Sequence, residues 1–157
     1  MTIVKLPKMK KDEINKLIRE QIICRIAFRG VETPYIAPFQ YVMMNGSLYF
    51  HFTDYGRKMK LLSEGNPVCV EIETYKPDLS QYRFVVLTGK LKVVTDPAER
   101  AKAIRKMAEE SEKKLSTSFL AAHGFKIDDG WSSFTPDKPI IIVKLEEIFE
   151  EIGLKSP

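Results

Sequence analysis

The sequence predicts an α+β protein dominated by antiparallel β-structure, a barrel with helices at its periphery. Three short strand segments joined by turn residues fill residues 24–52, and three more follow after a helix. Three segments with helical spacing lie around these strands. Strands in this number and order favour an antiparallel barrel.

The N-terminal segment, residues 10–21, predicts a helix because Ile14, Leu17 and Ile18 share one face. The alternating segment CRIAF, residues 24–28, predicts the first strand. A turn then leads into the second strand.

The second strand, residues 34–44, contains proline. Pro38 lacks an N–H and predicts an edge, a bulge or a strand end. Asn45-Gly46 predicts a hairpin, since both residues tolerate positive φ. The third strand follows at residues 47–52.

The second half of the chain continues this alternation. Asp96 is a predicted helix N-cap, followed by Pro97 at the first helical position, and Gly89 predicts a bulge or bend. By periodicity alone, the tail of the last segment is compatible with strand or helix. The predicted elements are a helix at 57–64, strands at 67–75 and 82–94, a helix from 97 to about 113, and a strand at 139–153.

The composition is that of one folded domain, expected to span residues 1–157. Apolar residues make up 44% of the chain and charged residues 29%, which excludes intrinsic disorder. No apolar run approaches the ~20 residues that a membrane helix needs, and the N-terminus lacks a signal-peptide core. We therefore expect a cytoplasmic protein with no membrane partner.

The basic balance does not by itself indicate a partner. The net charge is +4 and the pI is about 9.0. The charges are interleaved, as in ERAKAIRKMAEESEKK, and form no basic, aromatic stripe. We therefore expect no nucleic-acid partner.

The cysteines and histidines show no metal-ligand spacing, so no metal site is expected. Cys24 and Cys69 lie in apolar stretches and are expected to be buried free thiols. His51 and His123 lie far apart in the sequence.

The segment YFHFTDYGRK contains the strongest candidate for a binding site. A strand ends near Thr53, Asp54 is available as an N-cap, and Gly56 permits a tight turn. Arg57 and Lys58 then lie in the first turn of a helix, where each cation costs a few tenths of a kcal/mol up to about 1. A phosphate bound by free amides and the Thr53 hydroxyl would reverse that cost. The alternative, that both cations point into water, stays open.

A wider set of motifs carries a family resemblance. The elements CRIAF, PYIAPFQYV, LYFHF, YGRK and GNPVCVEIE follow one another in this order at ordinary spacing. This ordered set resembles the pyridoxamine 5'-phosphate oxidase-like, flavin-binding split-barrel family, above all its branch of nitroimidazole-resistance-related proteins. The resemblance covers roughly residues 10–110 and is weaker in the C-terminal third.

The resemblance implies a six-stranded split β-barrel that forms a homodimer, with FMN in a cleft at the interface. His51 and Thr53 would line the phosphate or ribityl region, and Arg57 and Lys58 would pair with the phosphate. Arg25, on the first strand, would face the same cleft. The flavin ring would lie along the second strand, at Pro38, Phe39, Gln40 and Tyr41.

The function implied by this resemblance is an FMN-dependent oxidoreductase that passes electrons from a nicotinamide donor to a small-molecule acceptor. No residue is assigned as catalytic. The alternatives are a non-enzymatic flavin-binding or sensing protein, and a deazaflavin- or haem-binding protein with His123 as a ligand. Trp131 is interpreted as a hydrophobic anchor rather than a cover for the flavin.

Overall fold

The computed structural model describes residues 4–121 and 124–157, and it confirms the predicted barrel. Six antiparallel strands close in the order β1-β2-β3-β6-β5-β4. The strands are β1 Ile23–Phe28, β2 Tyr35–Met44, β3 Ser47–Phe52, β4 Val68–Tyr75, β5 Tyr82–Val93 and β6 Ile141–Lys155. The α-helices are α1 Lys11–Glu20, α2 Arg57–Ser63, α3 Pro97–Lys114 and α4 Ser118–Ala121, and two 3-10 turns cover Ile127–Asp129 and Trp131–Ser133.

The barrel interior holds the first hydrophobic core. Alternation along β3 sends Phe50 and Phe52 inward, where they pack with side chains from the other strands. Leu17 and Ile18 of α1 belong to the same core, so the amphipathic face predicted from the sequence packs against the barrel.

A second core lies outside the barrel, under α3. Ile104 and Met107 of this helix pack against Val42 of β2 and Tyr49 of β3. Alternation along β3 therefore serves two cores, because Tyr49 and His51 point outward where Phe50 and Phe52 point inward. The outer face beside α3 is where the candidate site lies.

The barrel splits along β2, because this strand changes its neighbour halfway. Residues 35–40 pair with β1, whereas residues 41–44 pair with β3. Pro38 therefore lies in a half-strand that, in the described part of the chain, has a partner on one side only. This local edge accommodates a proline without the loss of a ladder hydrogen bond, as the sequence predicted.

The last strand settles the open question of the C-terminal segment. β6 continues as a strand to Lys155 and pairs with β5 along most of its length. The register shifts opposite Gly89, where a Cβ atom would lie 2.7 Å from the carbonyl oxygen of Glu146. The irregularity predicted at Gly89 is therefore found at this place, but the extra residues lie in β6, between Glu146 and Glu150, while β5 keeps its regular register with β4.

The N-termini of α3 and α2 show which of the two predicted N-cap residues are correct. The side chain of Asp96 accepts a hydrogen bond from the backbone N–H of Glu99 at 2.7 Å, which confirms it as the N-cap of α3. The prediction of Asp54 as a cap is wrong. Gly56 occupies the N-cap position of α2 with φ 91°, because the turn out of β3 needs a residue with positive φ immediately before the helix.

The cysteine prediction holds for one residue of the two. Both thiols are free, and Cys24 is buried inside the barrel. Cys69 is exposed, because alternation along β4 turns it outward while its neighbours Val68 and Val70 point inward. In the part of the chain that the structure describes, no helix is long and apolar enough to cross a membrane.

A polar cluster ties α3 to the barrel. The hydroxyl of Tyr49 donates to Glu99 Oε1 at 2.6 Å, and Lys144 Nζ lies 3.1 Å from the same oxygen. The hydrogen bond from Tyr49, followed by that from Lys144, lowers the pKa of Glu99. The stability that this carboxylate contributes is therefore present above the pKa of an unfolded glutamate, and it is lost as the pH falls through the folded pKa.

We expect Glu99→Gln to lower the free energy of unfolding near neutral pH. The difference from the wild type should shrink as the pH falls through the acid range, because both proteins are then uncharged at this position. Urea titrations at several pH values measure it. Glu109→Gln, on the exposed side of the same helix, is the control. A Glu99→Gln difference that does not change with pH would contradict the role of the charge.

Candidate functional site

A cleft of about 360 Å³ opens where β2 and β3 part. It lies at the outer face of the barrel, between the half of β2 that pairs only with β1, the end of β3 and the start of α2. Most of the predicted site residues meet here. The cleft is lined by Ile23, Tyr35, Ala37, Pro38, Phe39, Gln40, His51, Thr53, Lys58 and Phe119.

In residues 35–40, the edge of β2 that faces away from β1 turns backbone polar groups toward this opening. The N–H of Tyr41 donates to the carbonyl of Ile22 at 2.9 Å, so Tyr41 directs its backbone toward β1. Because these groups alternate along a strand, those of Pro38 and Gln40 point to the other, open side. Pro38 has no N–H, so this edge offers the carbonyl of Pro38 followed by the N–H of Gln40. An acceptor beside a donor complements a ligand with adjacent N–H and carbonyl groups.

Gln40 adds a polar side chain that is almost fully buried, with 3% exposed. Its Nε2 donates to the carbonyl of Met107 and to the Ser111 hydroxyl, both on α3. Since a carbonyl can only accept, these contacts fix the orientation of the amide. Oε1 then has no hydrogen-bond partner among the described residues.

Thr53, at the end of β3, presents a similar unsatisfied group. Its hydroxyl oxygen is buried and has no partner within the described residues. A buried polar atom left unpaired costs about 1–3 kcal/mol. Thr53 and Gln40 both line the cleft, so a ligand or water bound there would offset this cost.

Lys58 is the cation of the cleft. Its ammonium donates to the carbonyl of Tyr55 at 3.0 Å and lies 5.0 Å from the centre of that residue's ring. Partial burial lowers the pKa of Lys58, and the nearby Asp54 carboxylate opposes this effect. A bound anion would compensate for the desolvation of this charge.

Arg57, the other predicted phosphate ligand, is directed elsewhere. Its guanidinium donates to the backbone carbonyl and to the hydroxyl of Thr33, at 3.1 and 3.2 Å. It also lies 5.4 Å from the centre of the Tyr35 ring. The side chain therefore holds the loop between β1 and β2 rather than lining the cleft.

Arg25 and Tyr41 also lie off the cleft. Arg25 is on the exposed outer face of β1 and pairs with Glu73 at 2.7 Å and Glu71 at 3.4 Å. Tyr41 points into the barrel, where its hydroxyl donates to the carbonyl of Ile18 at 2.7 Å and burial raises its pKa. Alternation along β2 turns Tyr41 inward, whereas Arg25 shares the outward face of its cross-strand partner Pro38 and is held by the two glutamates instead.

His51 faces outward with 8% of its surface exposed, and its ring meets Phe134 edge-on at 5.2 Å. It lines the cleft together with Thr53, and both residues also line an adjoining cleft of about 440 Å³. The second cleft extends toward residues 124–129 and 138–140. His123, the predicted haem ligand, lies outside the described residues.

Sequence reasoning missed two aromatic walls of the cleft, Tyr35 and Phe119. The Phe119 ring stacks against the ring of Trp131 at 6.3 Å, and Trp131 also packs against Phe134. Trp131 is therefore a buried anchor, as interpreted from the sequence. The sequence around Phe119 has no periodicity that could have placed it, whereas Tyr35 directly follows the proline that begins the second strand.

An antiparallel barrel that splits beside a ligand-sized cleft defines the class of split-barrel proteins. The sequence profile of the pyridoxamine 5'-phosphate oxidase family matches residues 10–124, so the chain belongs to this family. The resemblance predicted from the ordered motifs is confirmed. No curated protein matches the sequence.

Several solved structures share the fold. An FAD-binding protein from Mesorhizobium loti has 15% identity and a TM-score of 0.69, covering 98% of this chain and 100% of that one. A candidate 5-nitroimidazole antibiotic resistance protein from Bacteroides thetaiotaomicron has 18% identity and a TM-score of 0.69, covering 96% and 87%. An FAD- and haem-binding protein from Mycobacterium smegmatis has 14% identity and a TM-score of 0.61, covering 94% and 71%.

Proposed function

We propose that the cleft binds FMN and that the protein is an FMN-dependent oxidoreductase, passing electrons from a nicotinamide donor to a small acceptor. One observation carries this proposal. A single cleft combines an unpaired strand edge at Pro38 and Gln40 with a partly buried cation, Lys58. These are the two kinds of group that a flavin mononucleotide needs, one for its ring edge and one for its phosphate.

The backbone of β2 would recognise the ring. The polar edge of a flavin contains an N–H between two carbonyl groups, which fits the carbonyl of Pro38 beside the N–H of Gln40. Pairing with a backbone edge is the same mode of recognition as the addition of a strand to a sheet.

The end of β3 and the start of α2 would hold the phosphate. Lys58 contributes charge, and the unsatisfied hydroxyl of Thr53 contributes a donor. His51 lies beside Thr53 on the cleft wall. The cleft volume is within the range of about 300–1,000 Å³ typical of cofactor sites.

The chemistry would be that of the cofactor, because bound FMN supplies hydride and electron transfer. The chain's own residues bind, orient and exclude water. Phe119 and Tyr35 supply apolar wall, and Gln40 connects the cleft to α3 through Met107 and Ser111. The flavin-binding neighbours from Mesorhizobium loti and Mycobacterium smegmatis support a flavin at this cleft.

A second copy of this chain is the partner of the barrel. One row of cross-strand neighbours on the outer face consists of Pro38, Arg25, Glu71, Val86 and Ile152. It combines apolar side chains with an ion pair between Arg25 and Glu71. Because Pro38 belongs both to this row and to the cleft wall, a barrel packed here would place the cofactor at the interface of a homodimer.

FMN titration of the purified protein tests the binding step. In gel filtration, we expect a peak at the mass of a dimer that shows flavin absorption. The emission of Trp131, the only tryptophan, should be quenched, because its ring stacks on Phe119 of the cleft wall. Trp131→Phe should abolish the tryptophan emission, and flavin should still elute together with this variant.

The redox step is tested on the same sample. Anaerobic addition of a reduced nicotinamide should bleach the flavin absorption, and a small acceptor should restore it. Protein that binds no FMN would contradict the whole proposal. Loaded protein that no nicotinamide donor reduces would leave a flavin-binding protein and reject the oxidoreductase.

A further inference from the structure

Arg57 occupies a position that serves the loop between β1 and β2. One terminal nitrogen of its guanidinium donates to both oxygen atoms of Thr33, the backbone carbonyl at 3.1 Å and the hydroxyl at 3.2 Å. The guanidinium also lies near the ring of Tyr35, at 5.4 Å, which starts β2. These contacts join the first turn of α2 to a loop 24 residues earlier in the chain.

Gly30 shows how tightly this loop closes. A Cβ atom at this position would lie 1.9 Å from the carbonyl oxygen of Thr33 and 3.0 Å from the same terminal nitrogen of Arg57. Only a residue without a side chain leaves room for both groups. The loop and the arginine are thus fitted to each other at one point.

The loop leads directly into a wall of the cleft. Tyr35 lines the cleft, and its ring also packs against Phe28 at 5.7 Å inside the barrel. Lys58, the next residue after Arg57, lines the same cleft while Arg57 does not. The two adjacent cations therefore have different surroundings.

We propose that Arg57 is a positioning residue, which fixes the loop of residues 29–34 and with it Tyr35, while Lys58 alone supplies the cation for the phosphate. The inference rests on the proposed function and assigns a different role to each of the two cations. Loss of a residue that positions Tyr35 should weaken the binding of every molecule that touches Tyr35. Loss of a residue that binds the phosphate should weaken only the binding of molecules that carry a phosphate.

Riboflavin, which is FMN without its phosphate, separates the two roles. We expect Arg57→Gln to weaken the binding of FMN and of riboflavin alike, each by about 3- to 10-fold, the loss of one or two modest hydrogen bonds. The ratio of the two dissociation constants should stay constant. Arg57→Lys should behave like Arg57→Gln, because a lysine keeps the charge but not the planar guanidinium.

Gly30→Ala is the matched variant that leaves every charge in place. Its Cβ atom would displace Thr33 and Arg57, so it should reproduce the Arg57→Gln effect on both ligands. The double variant should be little worse than either single one, since both changes disturb the same contact. Arg57→Gln that weakens FMN and spares riboflavin would overturn the proposal and make Arg57 a phosphate ligand.

Limited trypsin digestion provides a readout without any flavin. Arg29 is exposed at the start of the loop. Cleavage after Arg29 should be faster in Arg57→Gln and Gly30→Ala than in the wild type. Unchanged cleavage in both variants would overturn the proposal even in protein that binds no flavin, so failure of the cofactor assignment and failure of this inference remain distinguishable.

Discussion

Lys58→Gln is expected to weaken FMN binding by about 10- to 100-fold, the range of a hydrogen bond to a charged group. Riboflavin binding should hardly change. Lys58 lines the cleft, and its ammonium is partly desolvated, which lowers its pKa. Binding of an anion would restore the favourable surroundings that burial removes. Titrations of both ligands by fluorescence measure the two dissociation constants.

Lys60→Gln is the control for this prediction. It removes the same charge from the same helix, but Lys60 lies at a different surface depression, beside Leu61 and Glu64. Its effect on FMN should be small and should disappear with added salt, as expected of a distant exposed charge. Equal losses in Lys58→Gln and Lys60→Gln would indicate a general electrostatic attraction and no phosphate site at Lys58.

The contrast between Lys58 and Arg57 shows how far the sequence could predict the site. The segment YFHFTDYGRK correctly predicted a strand end, a glycine turn and two cations at the start of a helix. The direction of the Arg57 side chain depends on the carbonyl of Thr33 and on the close approach of the guanidinium to Gly30. Such a contact is set by loop closure between distant segments, and no local pattern encodes it.

Strand pairing explains a second group of outcomes. The period of two predicts that Arg25 lies on a different face from its neighbours, but its partners Glu71 and Glu73 depend on how β1 meets β4. The same holds for the split. Pro38 indicated an irregular strand, but only the registers show that β2 exchanges β1 for β3 at Tyr41, three residues later.

The prediction that Tyr41 lies along the ligand did not take account of the direction of its side chain. Pro38, Phe39, Gln40 and Tyr41 were expected along one ligand, yet successive residues of a strand point to opposite faces. Gln40 therefore reaches α3 on the outside, and Tyr41 reaches Ile18 on the inside. Successive side chains of β2 thus lie on opposite faces, and the ring of Tyr41 lies inside the barrel.

Phe50→Ala is expected to lower the free energy of unfolding by about 3–5 kcal/mol, the usual cost of removing a buried aromatic ring. Phe50 is 0% exposed inside the barrel. It lies opposite Tyr41 of β2 and Val143 of β6, so its ring packs where β3 joins both neighbours. Urea unfolding followed by circular dichroism measures the change.

Phe149→Ala is the control, since this phenylalanine on β6 is 67% exposed and its removal should cost less than about 1 kcal/mol. A loss at Phe149 that grows with protein concentration would indicate that a second copy covers it. A loss at Phe50 no larger than that at Phe149 would contradict the inward direction of Phe50. It would then also contradict the outward direction of His51 and Thr53, which follows from the same alternation and places both at the cleft.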